Sequence, residues 1–301
     1  SNVPQLSSGE LGWAVDTQEL YIGNGSVAEG APQVGNTQVV TEHDDLFELA
    51  DEYIYRKGDG SITTGIDSAN PVKRSLQERL DDTVSVKAFG IAGDNSQNAA
   101  ETRELIQRAV DELFFNGGSV LTDTDRVILY MEPGTYTINN TIYIPPFATI
   151  VGAGKDKTII KQEGANRPIF ITVSDESTNG SYIYDGEYAT QPRNIVIDGM
   201  TLTTELSTAK GFILQSCRDS VFKNLKIVGP WQPNDPIPTD SSATTGIAFE
   251  INNKNGGIES ARNLIKNVDF LNYPYGVVSN WDTNDFDFEN CNFENLGYGV
   301  A

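Results

Sequence analysis

A run of carboxylates near the end of this 301-residue sequence is its densest set of groups that could do chemistry. It contains Asp282, Asp285, Asp287 and Glu289, and Asp269 precedes it. Paired carboxyl groups hydrolyse glycosidic bonds when they stand about 5–5.5 Å apart, with retention, or about 6.5–9.5 Å apart, with inversion. Three interpretations are open: a catalytic pair, solvated surface charges, or a calcium site, because Ca²⁺ prefers oxygen ligands.

Few residues are available for other kinds of catalysis. The chain has one histidine, His43, and two cysteines, Cys217 and Cys291. Zinc sites built on histidine and cysteine clusters therefore lack ligands, and a disulfide framework is excluded. His43 lies in an acidic stretch with no nucleophile elbow near it, which argues against a Ser-His-Asp triad. We expect no metal and no cofactor.

Composition excludes further classes of function. Lysine and arginine total 21 against 42 aspartates and glutamates, so the net charge is −21. Such a surface repels phosphate backbones and anionic membranes, and we expect no nucleic-acid partner. The sequence has no apolar run of about 18 residues and begins with a polar segment unlike a signal peptide, so we expect no membrane insertion. A hydrophobic content of 38% is sufficient for a packed core.

Four short segments after residue 190 repeat one pattern and predict the fold. Residues 197–202, 222–227, 265–270 and 288–293 align without gaps as apolar, polar, Asn or Gly, apolar, polar, apolar. A unit of this length cannot bury its apolar residues alone, whereas stacked copies form a continuous core at a strand spacing of about 4.8 Å. The repeat therefore predicts a mainly β protein, a parallel β-solenoid.

The alignment assigns a position to each kind of residue. An interior column is predicted for Met200, Leu225, Val268 and Cys291. Asparagine tolerates left-handed backbone, so a corner ladder is predicted for Gly199, Asn224, Asn267 and Asn290. A charge ladder with opposite signs at its two ends is predicted for Asp198, Lys223, Lys266 and Glu289. A second strand in each unit is predicted to begin at Gly211, Gly246, Gly276 and Gly299.

One unit carries an insertion rich in proline, residues 229–238, which cannot continue a strand ladder and must leave the solenoid as a loop. It contains Trp231, for which two interpretations are open. The indole could stack on a sugar ring as a substrate contact, or it could fold back to shield an apolar patch.

Other elements precede the solenoid. Residues 9–25 alternate like a hairpin, within a small β module at 1–41. Residues 98–115 have a capping-box start and an apolar face, which predicts one N-terminal capping helix for the solenoid. Two short amphipathic helices are predicted near 44–55 and 71–82, and their stripes either pack on the chain's own sheets or associate with other copies. These stripes comprise Leu46, Leu49, Tyr53, Val72, Leu76 and Leu80.

The residues at several of these positions also resemble a family. Residues 72–94 are similar to the junction of bacteriophage tailspike and tail-fibre proteins that leads into a pectate-lyase-like β-helix, although Ala88 stands where aspartate is usual. Residues 131–138, 144–146 and 150–154 are similar to landmarks of that β-helix, and the resemblance covers about residues 70–301.

The resemblance implies a right-handed parallel β-helix in a homotrimeric virion protein. It implies virion attachment through residues 1–41, with a phage tail or baseplate protein as partner, a helical neck for trimerisation at 42–84, and a β-helix at 85–301 that is truncated at its C-terminus. The β-helix would meet bacterial surface polysaccharide, so the protein would reside in the phage tail and act outside the cell. Any active site is expected beyond residue 301.

Three functions follow as hypotheses. The first is a receptor-binding tailspike that recognises and degrades host polysaccharide as a glycoside hydrolase or lyase. The second is a non-enzymatic tail fibre or adhesin. The third is a secreted pectate-lyase-like polysaccharide lyase, which the polar start of the chain disfavours.

Overall fold

The computed structural model describes residues 6–16, 18–25, 35–39, 53–54, 73–115, 127–178, 180–183, 190–239, 246–253, 259–280 and 283–301. The chain divides into two compact units, residues 1–80 and 81–301. Within the described ranges, no helix has the length and apolar character needed to cross a membrane.

The first unit contains the predicted hairpin. Strands β1 (Leu11–Ala14) and β2 (Glu19–Gly23) pair antiparallel, and β3 (Asn36–Val39) adds to β2. Gln18 and Gly25 adopt positive φ angles of 58° and 80° at the two ends of β2, as tight turns require. The prediction of a small β module is confirmed for these residues.

The predicted neck differs from the structure. Tyr53 lies in a two-residue strand, β4 (Tyr53–Ile54), which pairs antiparallel with β5 (Lys73–Arg74), so the helix predicted near 44–55 is wrong at this residue. Strands of two residues are too short to show the alternation of apolar and polar side chains that identifies a strand in a sequence. The i, i+3 spacing of apolar residues therefore indicated a helix where Tyr53 lies in a strand. Leu46, Leu49 and Val72 lie outside the described residues.

The second neck helix starts later than predicted. Helix α1 (Leu76–Asp81) follows Ser75, whose hydroxyl accepts from the Glu78 N–H at 3.1 Å. The Glu78 carboxylate accepts in turn from the Ser75 N–H at 2.8 Å, which completes a capping box. This reciprocal cap places the helix start at Leu76, whereas the prediction started at Pro71. Leu80 is 47% exposed.

From Thr83 onward the chain forms a 15-stranded sheet. All its strand pairs are parallel, and the solenoid begins two residues earlier than predicted. The strands are β6 (Thr83–Ser85), β7 (Ile128–Met131), β8 (Gly134–Ile138), β9 (Ile142–Ile144), β10 (Thr149–Gly152), β11 (Thr158–Gln162), β12 (Pro168–Thr172), β13 (Val196–Thr204), β14 (Lys210–Gln215), β15 (Val221–Val228), β16 (Ile247–Asn252), β17 (Ser260–Lys266), β18 (Asp269–Asn280), β19 (Thr283–Glu289) and β20 (Asn292–Val300).

The strands stack in three ladders, which make the sides of a parallel β-helix. The first ladder runs through β6, β7, β10, β13, β15, β17 and β19. The second runs through β8, β11, β13, β15, β18 and β20. The third runs through β9, β12, β14, β16, β18 and β20. The predicted mainly β, parallel architecture is confirmed.

The four predicted repeats stack in register. Ile197 pairs with Phe222, which pairs with Ile265, which pairs with Phe288. In the predicted interior column, Met200, Leu225 and Val268 are buried in the core, and Cys291 packs against it. Because each coil repeats the same inward positions, apolar side chains of successive coils contact one another through the length of the solenoid.

One part of the predicted alignment is wrong. Gly211 lies beside Ala248, and Ala248 lies beside Gly276, so Gly246 stands two residues before the position predicted for it. A shift of two residues keeps every side chain on the same face of the strand, so the apolar pattern does not reveal it. The position itself demands a small residue, because a Cβ on Gly211 would come within 2.3 Å of the Ala248 carbonyl oxygen.

The predicted asparagine ladder forms the corner between the first and second ladders. Gly199, Asn224, Asn267 and Asn290 have φ angles of 70°, 52°, 54° and 51°. The Asn267 amide donates to Asn224 Oδ1 at 2.7 Å, and the Asn224 amide donates to Asp198 Oδ1 at 2.7 Å. The asparagines therefore supply both the left-handed backbone and hydrogen bonds between coils.

The predicted capping helix is α2 (Ala99–Phe114), with Asn98 as its N-cap. The Asn98 side chain accepts from the Glu101 N–H at 2.9 Å, as the capping-box pattern predicts. Ile106, Val110 and Phe114 are buried in the same core as the first coils. This helix closes the interior that the first coil would otherwise expose.

The proline-rich insertion leaves the ladders and folds back on the outside of β18. The backbone N–H of Trp231 donates to the Asn272 carbonyl at 2.9 Å. The Tyr275 hydroxyl donates to the Pro238 carbonyl at 3.0 Å. Ile247, Tyr275 and Val278 form a small buried cluster of their own. The predicted loop is confirmed, and it lies against the solenoid.

The corner ladder leads to a stability prediction. Asn267→Ala should lower the free energy of unfolding by about 1–2 kcal/mol, because alanine resists the left-handed region. Asn267→Gly should cost less, since glycine adopts this φ freely. Denaturant titration of both variants tests this, and equal losses would contradict the conformational explanation.

Candidate functional site

Two of the sequence-predicted carboxylates are engaged in contacts between coils. Asp269 forms an ion pair with Lys155 at 2.8 Å, and Glu289 forms one with Lys266 at 2.6 Å. Lys223 Nζ lies 3.4 Å from Asp198 Oδ2. The predicted charge ladder thus has opposite charges in contact at both ends.

Asp285 and Asp287 have different positions. Asp285 has a φ of 54° and follows Asp219 and Arg262 in a second column of left-handed corner residues. Asp287 is exposed in β19, beside Leu264 of the preceding coil. Asp282 lies outside the described residues. In the part of the chain that the structure describes, no group of three or more His, Cys, Asp or Glu could hold a metal ion.

Trp231 lines a groove between the proline-rich insertion and the last strand. The cavity is about 490 Å³ and is lined by Trp231, Pro233, Ile237, Phe293, Asn295, Leu296 and Gly299. The Trp231 side chain is folded back, with only 8% of the residue exposed. Its indole N–H is buried and has no hydrogen-bond partner among the described residues. Both interpretations of Trp231 fit this geometry, because the residue is mostly buried and still lines the groove.

A second cavity, which the sequence did not predict, lies beside the capping helix. This cap pocket is about 460 Å³ and is lined by Arg103, Glu104, Gln107, Arg108, Asp111, Glu112, Gly180 and Tyr182. Its helical members recur at i, i+4 and i+8, so they share one side of α2.

Two cap-pocket residues bind the edge of the sheet. β9 is a terminal strand of the 15-stranded sheet, so its outer backbone groups need partners. Gln107 Oε1 accepts from the Tyr143 N–H at 2.8 Å, and Gln107 Nε2 donates to the Tyr143 carbonyl at 3.2 Å. Arg103 Nε donates to the Thr141 carbonyl at 2.8 Å. The helix therefore replaces a missing strand at this edge.

Asp111 connects this edge to Tyr182. Its carboxylate accepts from Gln107 Nε2 at 2.9 Å and from the Tyr182 hydroxyl at 2.8 Å. The Tyr182 ring stacks on Tyr143 with centroids 4.1 Å apart and an interplanar angle of 14°. Only 5% of Asp111 is exposed, and this burial raises the pKa of its carboxyl group. Burial also raises the pKa of Tyr182, and Asp111 adds to that shift.

The signals for this pocket in the sequence are weak. Gln107 and Asp111 lie seven and three residues before the buried Phe114, so they border the apolar face of α2 and are buried with it. Polar residues of an amphipathic helix are expected to be solvated instead. Tyr182 lies 71 residues after Asp111 in a segment without periodicity. The polar spacing of Gln107 and Asp111 at i, i+4 was the one available indication.

The three ladders of parallel strands define the class of the chain as a parallel β-helix. The chain belongs to the family described as rhamnogalacturonase A/epimerase, pectate lyase-like, whose model matches residues 83–301. The predicted pectate-lyase-like fold is thereby confirmed. No curated protein matches the chain.

Solved structures with a similar fold include viral and bacterial proteins. ORF18 of Geobacillus virus E2 is 16% identical, with a TM-score of 0.45, and the match covers 92% of this chain and 56% of that one. The A-module of mannuronan C-5 epimerase AlgE6 from Azotobacter vinelandii is 16% identical, with a TM-score of 0.43 and coverages of 72% and 57%. Tailspike protein 3 of bacteriophage CBA120 is 14% identical, with a TM-score of 0.37 and coverages of 91% and 47%. The chain spans about half of the length of these structures.

Asp111 gives a pH-dependent prediction. Because its folded pKa is raised, the folded state binds the proton more tightly than the unfolded state, and the free energy of unfolding falls as pH rises through the raised value. Asp111→Asn removes this titration, so the variant should gain stability relative to wild type between acidic and neutral pH. Urea unfolding at a series of pH values measures the difference.

Glu294, an exposed carboxylate on β20, provides the control for this prediction. Glu294→Gln should follow the wild-type pH profile, because Glu294 does not contribute to the Asp111 shift. A constant difference between Asp111→Asn and wild type across the pH series would refute the assignment of a raised pKa.

Proposed function

We propose that the chain is part of a phage tailspike that recognises bacterial surface polysaccharide through its β-helix. Membership of a pectate-lyase-like family supports a carbohydrate ligand. The resemblance of residues 72–94 to tailspike junctions supports the virion setting, in the phage tail and acting outside the cell. Residues 1–41 would attach the chain to a tail or baseplate protein.

The groove at Trp231 is the observation that carries this proposal. Its volume of about 490 Å³ lies within the range of about 300–1,000 Å³ that is usual for ligand sites. Trp231, Phe293 and Leu296 supply apolar surface for the face of a sugar ring. The indole N–H of Trp231, which is buried and has no partner among the described residues, is a donor that a sugar hydroxyl could satisfy, and this would relieve the cost of burying it.

We further propose that the carboxylates of this chain do not cleave the polysaccharide. Lys155 and Lys266 engage Asp269 and Glu289 in ion pairs. A hydrolytic pair needs two carboxyl groups that are free to flank the scissile glycosidic bond, and these contacts occupy both of them. Asp285 occupies a structural corner, and Asp287 is exposed beside an apolar neighbour.

The binding function is tested with purified host capsule or O-antigen polysaccharide. Trp231→Phe keeps the apolar ring and removes the N–H, so it should weaken binding by about tenfold, equivalent to about 1.4 kcal/mol. Trp13→Phe provides a matched control on the exposed Trp13 of the β module and should bind as wild type does. Binding is measured by surface plasmon resonance, and polymer size by gel filtration.

Two results would count against the proposal. If Trp231→Phe binds the polysaccharide as tightly as the wild-type chain does, the indole N–H in the groove does not contact the polysaccharide. Release of oligosaccharides by the wild-type chain would show that it cleaves, and its loss in Asp269→Asn or Glu289→Gln would return those residues to a catalytic role.

We also propose that the chain assembles as a homotrimer through residues 42–84. The half-exposed Leu80 on the short helix α1 leaves apolar surface that three helices around an axis would bury. Light scattering should give about three times the chain mass of 32.8 kDa. Leu80→Asp should dissociate the trimer, and a monomeric wild type would favour the secreted-lyase hypothesis instead.

A further inference from the structure

The cap pocket is a preformed cavity that the proposed polysaccharide groove does not use. Its volume of about 460 Å³ is in the usual range for small-ligand sites. Six of its residues lie on α2, whereas the groove at Trp231 is formed by the insertion and β20, so the two cavities share no residue.

One wall of the cap pocket is a fixed aromatic ring. Tyr182 is held by its hydroxyl on Asp111 and by its ring on Tyr143, and Asp111 is itself fixed by Gln107. Gln107 is anchored on the backbone of β9, which belongs to the core sheet. A ring immobilised from two directions loses little conformational freedom when a ligand packs on it, which favours binding.

The rim of the cap pocket carries three exposed charged side chains. Glu104, Arg108 and Glu112 lie at successive i, i+4 positions of α2. Their side chains form no hydrogen bond or ion pair with other residues that the structure describes. Carboxylates are acceptors and guanidinium groups are donors, so this rim can bond both the O–H hydrogens and the oxygens of neighbouring hydroxyls.

The charges of the cap pocket select the class of ligand. An anion would be repelled by Glu104 and Glu112 in a chain of net charge −21, and a cation that approaches these carboxylates also approaches Arg103 and Arg108 on the same side of α2. A neutral ligand rich in hydroxyl groups can use the guanidinium donors and the carboxylate acceptors together. We propose that the cap pocket is a second saccharide-binding site, specific for a neutral sugar unit and independent of the groove at Trp231.

The test measures which glycans the full chain binds and which variants lose them. A glycan array of bacterial surface saccharides, including neutral and uronate-containing oligosaccharides, should give binding of neutral members to the Trp231→Phe variant. Arg108→Ala in that background should reduce this residual binding at least tenfold, while Arg167→Ala, at an exposed arginine outside both cavities, should leave it unchanged.

A second variant separates ring packing from folding. Tyr182→Phe keeps the ring and loses the bond to Asp111, so it should retain part of the binding, whereas Tyr182→Ala should abolish it. Circular dichroism and thermal unfolding check that each variant is folded. Because Arg108 is exposed, its replacement does not threaten the fold.

The outcomes distinguish this site from the proposed function. Loss of all glycan binding in Trp231→Phe alone would overturn the second site while supporting the groove. Binding of neutral saccharides that disappears only with Arg108→Ala would establish the cap pocket even if the groove is inactive. Preference for uronate-containing glycans at this site, or no effect of Arg108→Ala, would overturn the proposal.

Discussion

The structure depends on a bend of the chain that is repeated at one corner of successive coils. Parallel strands about 4.8 Å apart place each corner residue directly beside its counterpart, so one backbone conformation must suit all of them. Asn224, Asn267 and Asn290 meet this demand with positive φ, and the amides of Asn224 and Asn267 each donate to the preceding coil. Because the corner sets the register, it also sets which side chains share the interior and which charges meet on the surface.

The first coil has no preceding coil, so the outer backbone groups of its edge strand and its apolar interior need other partners. Helix α2 covers the interior with apolar residues and meets the polar edge with Gln107, whose amide bonds both backbone groups of Tyr143. This edge contact is what brings Asp111 into a buried position and orients Tyr182. The cap pocket is therefore a consequence of closing the solenoid, and its rigidity derives from the sheet.

The sequence predicts the features that repeat and misses those that occur once. The interior column and the asparagine corner could be predicted because one repeat fixes the position of several residues at once. The repeat has copies at 197–202, 222–227, 265–270 and 288–293. Gly246 was misaligned, since a two-residue shift leaves the pattern intact. The cap pocket could not be predicted, because Tyr182 reaches Asp111 from a segment whose path depends on tertiary packing.

Acidic residues can accumulate on this fold for a structural reason as well as a catalytic one. Stacking at about 4.8 Å brings outward side chains of adjacent coils together, so acidic residues on the ladders need cations nearby. Lys155 and Lys266 meet that need for Asp269 and Glu289. Asp111 differs because Gln107 and Tyr182, its hydrogen-bond donors, are neutral, and burial raises its pKa. The perturbed carboxylate thus lies where the repeat stops, beside the helix that closes the first coil.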